Sequence, residues 1–154
     1  MVKEPIAEIY AAMAEIAASD LSPTEKLRRA MLCHLEGFDR HYPHMVVYMH
    51  ECEEMKRIYR DRLNLSPKQY EGYWQRILRE GIRSGEFRAD LDVKVASYAV
   101  LGMLNGAYKW YDPRGRLGCR EVADQFSKLA LAGLMAAKPR TSPDKRARRQ
   151  RAHK

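Results

Sequence analysis

The residues best suited to chemistry are grouped between positions 33 and 52, which hold four of the five histidines and two of the three cysteines. Cys33 and His34 are adjacent, and adjacent residues on a helix point about 100° apart, so they do not form a nucleophile–base pair. A proline separates His41 from His44, and Cys52 lies on a different helix face from the last histidine of the group. These spacings match no zinc-binding pattern. We therefore predict no catalytic site, no metal site and no cofactor, and interpret the histidines as partly buried or surface residues.

A second group of residues has the chemistry to enclose an apolar ligand. It comprises Met45, Tyr48, Met49, Cys52 and Met55 on one predicted helix, facing Tyr70, Tyr73 and Trp74 on the next. Thioethers and amphipathic aromatic rings adapt to a bulky apolar ligand and offer a few hydroxyl contacts. Composition alone favours the other interpretation, in which Met and Tyr at helical spacing only pack in a core.

The elements that position these residues are predicted to be helices throughout, which makes the fold class all-α. Apolar residues recur at spacings of three and four, and no segment shows the alternation of a strand. Ser22 and Ser66 each precede a proline and have Glu25 or Gln69 three residues later, a pattern typical of a capping box. The sequence predicts about six helices in all, and the third of them is one continuous helix through residues 45–59.

The fifth predicted helix, residues 93 to about 111, is apolar on most of its sides and must be covered on most of them. Gly102 and Gly106 permit close backbone approach, and the sixth helix ends in the small residues Ala130, Ala132 and Gly133. We predict that these two helices pair with their copies across a twofold axis as a four-helix bundle. Burial within one chain is the other interpretation.

The net charge of +8 is concentrated at the end of the sequence. Residues 138–154 hold eight of the 28 basic residues and one of the 20 acidic ones, which leaves +1 for residues 1–137. We predict one helical domain over residues 1–137 and a disordered basic tail over residues 138–154. Such a tail usually remains solvated; weak, salt-dependent contact with nucleic acid is the alternative.

The cysteine count and the apolar segments bear on location. Three cysteines without paired spacing argue against a disulfide framework, and no signal peptide is recognisable. The longest apolar stretch, residues 95–108, is too short to span a bilayer. We predict a cytoplasmic protein with no membrane partner.

Five sequence stretches carry a family resemblance: residues 79–88, 90–92, 101–106, 110–115 and 121–126. With them, residues 22–134 resemble the C-terminal, effector-binding and dimerisation domain of TetR-type transcriptional regulators. The pattern is most similar to the branch that responds to acyl-CoA thioesters and related hydrophobic acids. The resemblance implies an all-helical bundle whose last two helices form the dimer and whose earlier helices enclose an effector cavity.

The resemblance also implies which residues would line the effector cavity and which would form the dimer interface. The cavity-side residues would be Met13, Phe38, Met45, Tyr48, Met49, Tyr73, Trp74, Ile77, Met103 and Asn105. The dimer residues would be Ala107, Trp110, Phe126, Leu129, Gly133 and Leu134. The implied partners are a hydrophobic small-molecule effector and a second copy of the chain, and the implied function is a repressor released by that effector.

TetR-type regulators begin with a helix-turn-helix head, and this sequence contains none before its first ligand-domain helix. We therefore expect contact with DNA only through a missing head, or weakly through the basic tail. Two other functions stay open at this point. One is a head-less protein that forms heterodimers with full-length regulators, and the other is non-specific nucleic-acid binding by the tail.

Overall fold

The computed structural model describes residues 4–138, and within this range the chain folds into seven α-helices. They are α1 (Pro5–Ala18), α2 (Pro23–Arg40), α3 (Tyr42–His50), α4 (Glu53–Arg62), α5 (Pro67–Ser84), α6 (Val93–Gly106) and α7 (Cys119–Leu134). A short 3₁₀ turn, Ala107–Lys109, follows α6. The single strand-type pairing in the described range is an isolated bridge between Phe87 and Met135. The predicted all-α class is confirmed.

The third predicted helix is wrong in one respect, because the chain breaks it into α3 and α4. Glu51 and Cys52 adopt extended backbone angles between the two helices. The amide of Glu51 donates to the Val47 and Tyr48 carbonyls, which ends α3. Acidic residues then occupy the first turn of α4, where carboxylates are favourable near the helix N-terminus. The break changes the direction of the chain, and the described range holds seven helices rather than six.

Helix α2 lies at the centre of the bundle and packs against α1, α5 and α7. Leu27 and Met31 on α2, spaced by four, have no exposed surface. Met13 from α1 and Trp74 and Ile77 from α5 are equally buried in the same core. Burial of side chains of this size contributes about 1.5–3 kcal/mol each relative to exposure.

A buried lysine fixes the end of α1 against α2 and α5. The Lys26 ammonium donates to the Ala17 carbonyl at 2.9 Å and to Glu80 Oε2 at 2.7 Å. The bond from Lys26 holds the pKa of the Glu80 carboxyl below its ordinary value. These two bonds fix the C-terminal end of α1 relative to α2 and α5.

Side chains and one glycine define several helix ends as the sequence predicts. The Ser22 hydroxyl accepts from the Glu25 amide, and the Asp92 carboxylate accepts from the Val95 amide. Gly85 ends α5 with φ of 81°, a left-handed conformation that favours glycine. Ser66 makes no side-chain bond at the start of α5, so the second predicted capping box does not form.

The predicted basic tail falls almost wholly on residues 139–154, which lie outside the described residues. No helix within residues 4–138 is long and apolar enough to cross a membrane. The described part of the chain ends shortly after α7. In this last segment the Ala136 amide donates to the Glu86 carbonyl at 2.9 Å.

Candidate ligand-binding site

A cavity of about 270 Å³ lies among α1, α2, α3, α4, α5 and α6. Its apolar surface comes from Ile6, Ile9, Phe38, Met45, Met49, Pro67, Leu101 and Leu104. Helix α1 contributes at spacings of three, and α6 contributes Leu101, Leu104 and Asn105 at spacings of three and four, so each presents one face to the cavity. The volume is near the lower end of the range for small-molecule sites.

One end of the cavity is polar and uncharged. His34 Nδ1 lies 2.6 Å from the Tyr70 hydroxyl oxygen, and Asn105 lines the same space. Burial lowers the pKa of His34 to about 4, with Asn105 acting in the opposite direction, so the imidazole is neutral near pH 7. Burial also raises the pKa of Tyr70. We call His34, Tyr70 and Asn105 the polar cluster; it offers hydrogen bonds without net charge.

The α4 side of the cavity is charged. Glu53, Lys56 and Arg60 line it from α4, and Glu71 lines it from α5. Arg60 Nη1 donates to the Tyr48 hydroxyl at 2.9 Å. The Lys56 ammonium lies 3.2 Å from Glu53 Oε1 and 5.9 Å from the centre of the Tyr48 ring.

Five of the ten predicted ligand-site residues line this cavity. They are Phe38, Met45, Tyr48, Met49 and Asn105. They come from α2, α3 and α6, so the fold brings together side chains separated by up to 67 positions in the sequence.

The other five predicted ligand-site residues lie outside the cavity. Met13, Trp74 and Ile77 are fully buried in the core. Tyr73 packs beside Tyr70, with ring centres 6.4 Å apart, and is half-buried. Met103 projects from another face of α6 than Leu101, Leu104 and Asn105 and also packs against the core.

The prediction omitted most of the polar lining. The polar or charged residues that it left out are Tyr10, His34, Glu53, Lys56, Arg60, Tyr70 and Glu71. It also left out the apolar residues Ile6, Ile9, Pro67, Leu101 and Leu104. Tyr70 had been singled out by residue type, together with Tyr73 and Trp74, but the list of cavity-side residues that the resemblance implied did not include it. The charged residues gave no usable signal, because charged side chains are mostly exposed and residue type alone gives no reason to place them in a largely apolar cavity.

The histidines near the α2–α3 junction take separate roles. His34 belongs to the polar cluster, His41 Nε2 lies 3.2 Å from Glu8, and the His50 ring packs edge-on against Tyr108. Residues 4–138 contain no group of three or more His, Cys, Asp or Glu side chains placed to hold a metal ion.

A second, more open groove of about 440 Å³ lies between α1 and α2. Several of its charged groups have partners: Glu8 accepts from His41 and lies 3.9 Å from Arg40, and Glu36 pairs with Arg120 at 2.9 Å. Because these charges are paired within the chain, this groove has the character of ordinary solvated surface.

The predicted dimer residues divide into an exposed set and a buried set. Trp110 and Leu129 are 57% and 67% exposed, Gly133 is exposed and Phe126 is half-buried. The Trp110 and Phe126 rings pack edge-on with centres 5.9 Å apart. Ala107 and Leu134 are buried within the chain itself.

The described residues form an all-helical domain with a cavity among α1 to α6. Residues 20–134 match the family described as tetracyclin repressor-like, C-terminal domain. The chain therefore belongs to the TetR family. Members of this family are transcriptional regulators and not enzymes, which confirms the prediction that the chain has no catalytic function.

Individual relatives extend this assignment. The chain is 27% identical over 127 residues to the HTH-type transcriptional repressor KstR2 of Mycobacterium tuberculosis, covering 82% of this chain and 64% of that protein. The structure of that repressor superposes with a TM-score of 0.76 at 26% identity, over 86% of this chain and 68% of that one. A TetR/AcrR regulator from Thermobifida fusca is 31% identical, with a TM-score of 0.68 over 84% of this chain and 68% of that one. The chain thus spans less than two thirds of the length of its curated relative.

Proposed function

We propose that this chain is the ligand-sensing and dimerisation domain of a TetR-like transcriptional repressor that a hydrophobic small molecule releases from DNA. The observation that carries this proposal is the cavity enclosed by α1–α6, with apolar walls and the polar cluster at one end. Pockets that are mostly apolar with a few convergent polar groups are the usual form of small-molecule sites.

The effector class we propose is an acyl-CoA thioester or a related apolar acid. The thioethers of Met45 and Met49 and the ring of Phe38 adapt to apolar groups of different shape. A volume of about 270 Å³ holds only the apolar part of such a molecule, so a bulky coenzyme portion would extend into solvent. The relative KstR2 is described as a ketosteroid transcriptional regulator, which is consistent with a bulky apolar effector.

The release mechanism we propose is a shift between two arrangements of the domain. Ile6, Ile9 and Tyr10 make α1 part of the cavity wall, and the opposite end of α1 is held by Lys26. The two arrangements would differ in the position of α1. An effector that binds one arrangement more tightly than the other raises the population of that arrangement, to an extent set by the difference between its two affinities. In the full repressor that change would reorient the DNA-binding heads.

Native mass spectrometry of the protein as purified, with no ligand added, tests this function. We expect a dimer that carries an apolar acid or thioester, released and identified on collisional activation. A protein that is monomeric and empty, and remains so after incubation with a library of acyl-CoA thioesters and free acids, would contradict the proposal.

A further inference from the structure

Helix α4 has the reverse of the usual amphipathic pattern. Its three half-buried residues are Lys56, Tyr59 and Arg60, whereas its large apolar residues Met55 and Ile58 are about half exposed. A helix on the surface of a domain normally turns its apolar stripe inward. A local departure from this rule is expected where a function requires it.

Arg60 differs from the other basic side chains of α4. Lys56 pairs with Glu53, Arg57 pairs with Glu54 and Asp61, and Arg62 lies 3.7 Å from Glu4. No carboxylate among residues 4–138 lies within salt-bridge distance of Arg60. Its one hydrogen bond in this range goes to a neutral oxygen, the Tyr48 hydroxyl. A guanidinium has five N–H donors, so most of those of Arg60, which lines the cavity, have no partner within residues 4–138.

The groups facing Arg60 leave room for a bound anion. Burial is the main cause that raises the pKa of Tyr10 to about 12, so this hydroxyl is neutral near pH 7, while the Arg60 charge acts in the opposite direction. Glu71 lines the same cavity but forms no ion pair with any basic residue of the described chain. An anion at Arg60 would therefore receive charge-assisted hydrogen bonds that no protein carboxylate already occupies.

We propose that Arg60 is the anion-binding residue of the cavity and that it selects effectors carrying a carboxylate or phosphate beside their apolar part. Lys56 lies on the same face of α4 and adds a second positive charge, partly balanced by Glu53. The apolar part of the ligand packs against Ile9, Phe38 and Leu104. This inference rests on the proposed effector-binding function, and it adds the residue that binds the anionic group of the ligand.

Calorimetric titration with octanoate and with 1-octanol at pH 7 tests the inference, because the two probes share a chain and differ in charge. We expect the wild-type protein to bind octanoate about tenfold more tightly than octanol, the ratio that one charge-assisted hydrogen bond supplies. Arg60→Gln should remove this preference by weakening octanoate and leaving octanol unchanged. Arg60→Lys should restore part of it.

Arg57→Gln is the matched control, because Arg57 lies on α4 but on its exposed side. It should retain the wild-type preference. Circular dichroism melting of each variant shows whether the fold is intact before titration, and Arg60→Lys gives a second, conservative variant for the comparison.

Two other outcomes separate this inference from the function on which it rests. Equal binding of both probes by the wild-type protein, or a preference for octanoate that survives in Arg60→Gln, would overturn the role of Arg60 and leave an apolar effector site standing. Failure of both probes to bind would count against the effector-binding function itself.

Discussion

His34 shows how a single polar residue can serve a site without carrying charge. Its imidazole is hydrogen-bonded to the Tyr70 hydroxyl. The part of the side chain that is not covered by protein lines the cavity. Because burial lowers its pKa to about 4 from 6.5, it remains neutral across the physiological range. The polar cluster therefore offers the cavity uncharged, directional hydrogen bonds, while the basic side chains that line the cavity lie on α4.

The pKa of His34 leads to a prediction about stability and pH. Between pH 6.5 and about 4 the unfolded chain binds more protons at this residue than the folded one, so the free energy of unfolding should fall as the pH decreases through this window. The loss should reach roughly 2–3 kcal/mol between pH 7 and pH 4.5. Urea unfolding of wild type and His34→Gln at both pH values measures it. The variant should lack this part of the pH dependence; an identical dependence in both proteins would contradict the assignment.

At the scale of elements, α5 contains two glycines in contrasting surroundings. Gly81 lies against the ring of Phe87, which folds back on α5 after the turn at Gly85 and is 1% exposed. The Phe87 amide donates to the Gly81 carbonyl at 2.9 Å, which fixes this contact. Gly72, on the same helix, has no neighbour that an added Cβ would meet.

These surroundings predict opposite effects of the same substitution. Gly81→Ala should lower the free energy of unfolding by about 1–3 kcal/mol, because the new methyl group overlaps the Phe87 ring. Gly72→Ala should raise it by up to about 1 kcal/mol, because alanine favours the helix more than glycine does. Denaturant unfolding of both variants provides the measurement. Equal effects would mean that Phe87 moves away at little cost.

The sequence was sufficient to predict the helices that contribute to the core, because their apolar residues have a helical period. It was insufficient for the break at Glu51 and Cys52, since the apolar spacing of residues 45–59 continues across it and contains no glycine or proline. The same limit applies to the site. Phe38 and Met45 could be proposed from residue type, whereas Arg60 could not, because neither its type nor its spacing distinguishes it from the neighbouring basic residues Lys56, Arg57 and Arg62.

At the scale of the whole molecule, α6 and α7 leave apolar side chains in contact with solvent. Val95 and Tyr98 on α6 are 64% and 46% exposed, and Leu129 on α7 is 67% exposed. Large apolar side chains exposed to this extent are found at interaction sites. This surface supports the proposed dimer, in which each copy covers the same face of the other.

Leu129→Asp should therefore dissociate the dimer. A charge placed in an apolar interface without a partner costs several kcal/mol, so we expect the dissociation constant to rise at least about 100-fold. The melting behaviour of the isolated chain should change little, because Leu129 is not part of its core. Analytical ultracentrifugation measures the association, with Met55→Asp, an exposed apolar residue on α4, as the control. A variant that remains dimeric, or a wild-type protein that is monomeric at all concentrations, would contradict this interface.

The reversed pattern of α4 also bears on how this domain can evolve. No α4 residue belongs to the buried core, so substitutions there should change the free energy of unfolding less than substitutions in the core do. Phe38 and Leu104, in contrast, belong both to the cavity wall and to the core, and a change of either alters the stability of the whole domain. If α4 binds the charged group as proposed, exchange of its residues alone would alter the charge of the preferred ligand, while the shape of the apolar part would stay constrained by the fold.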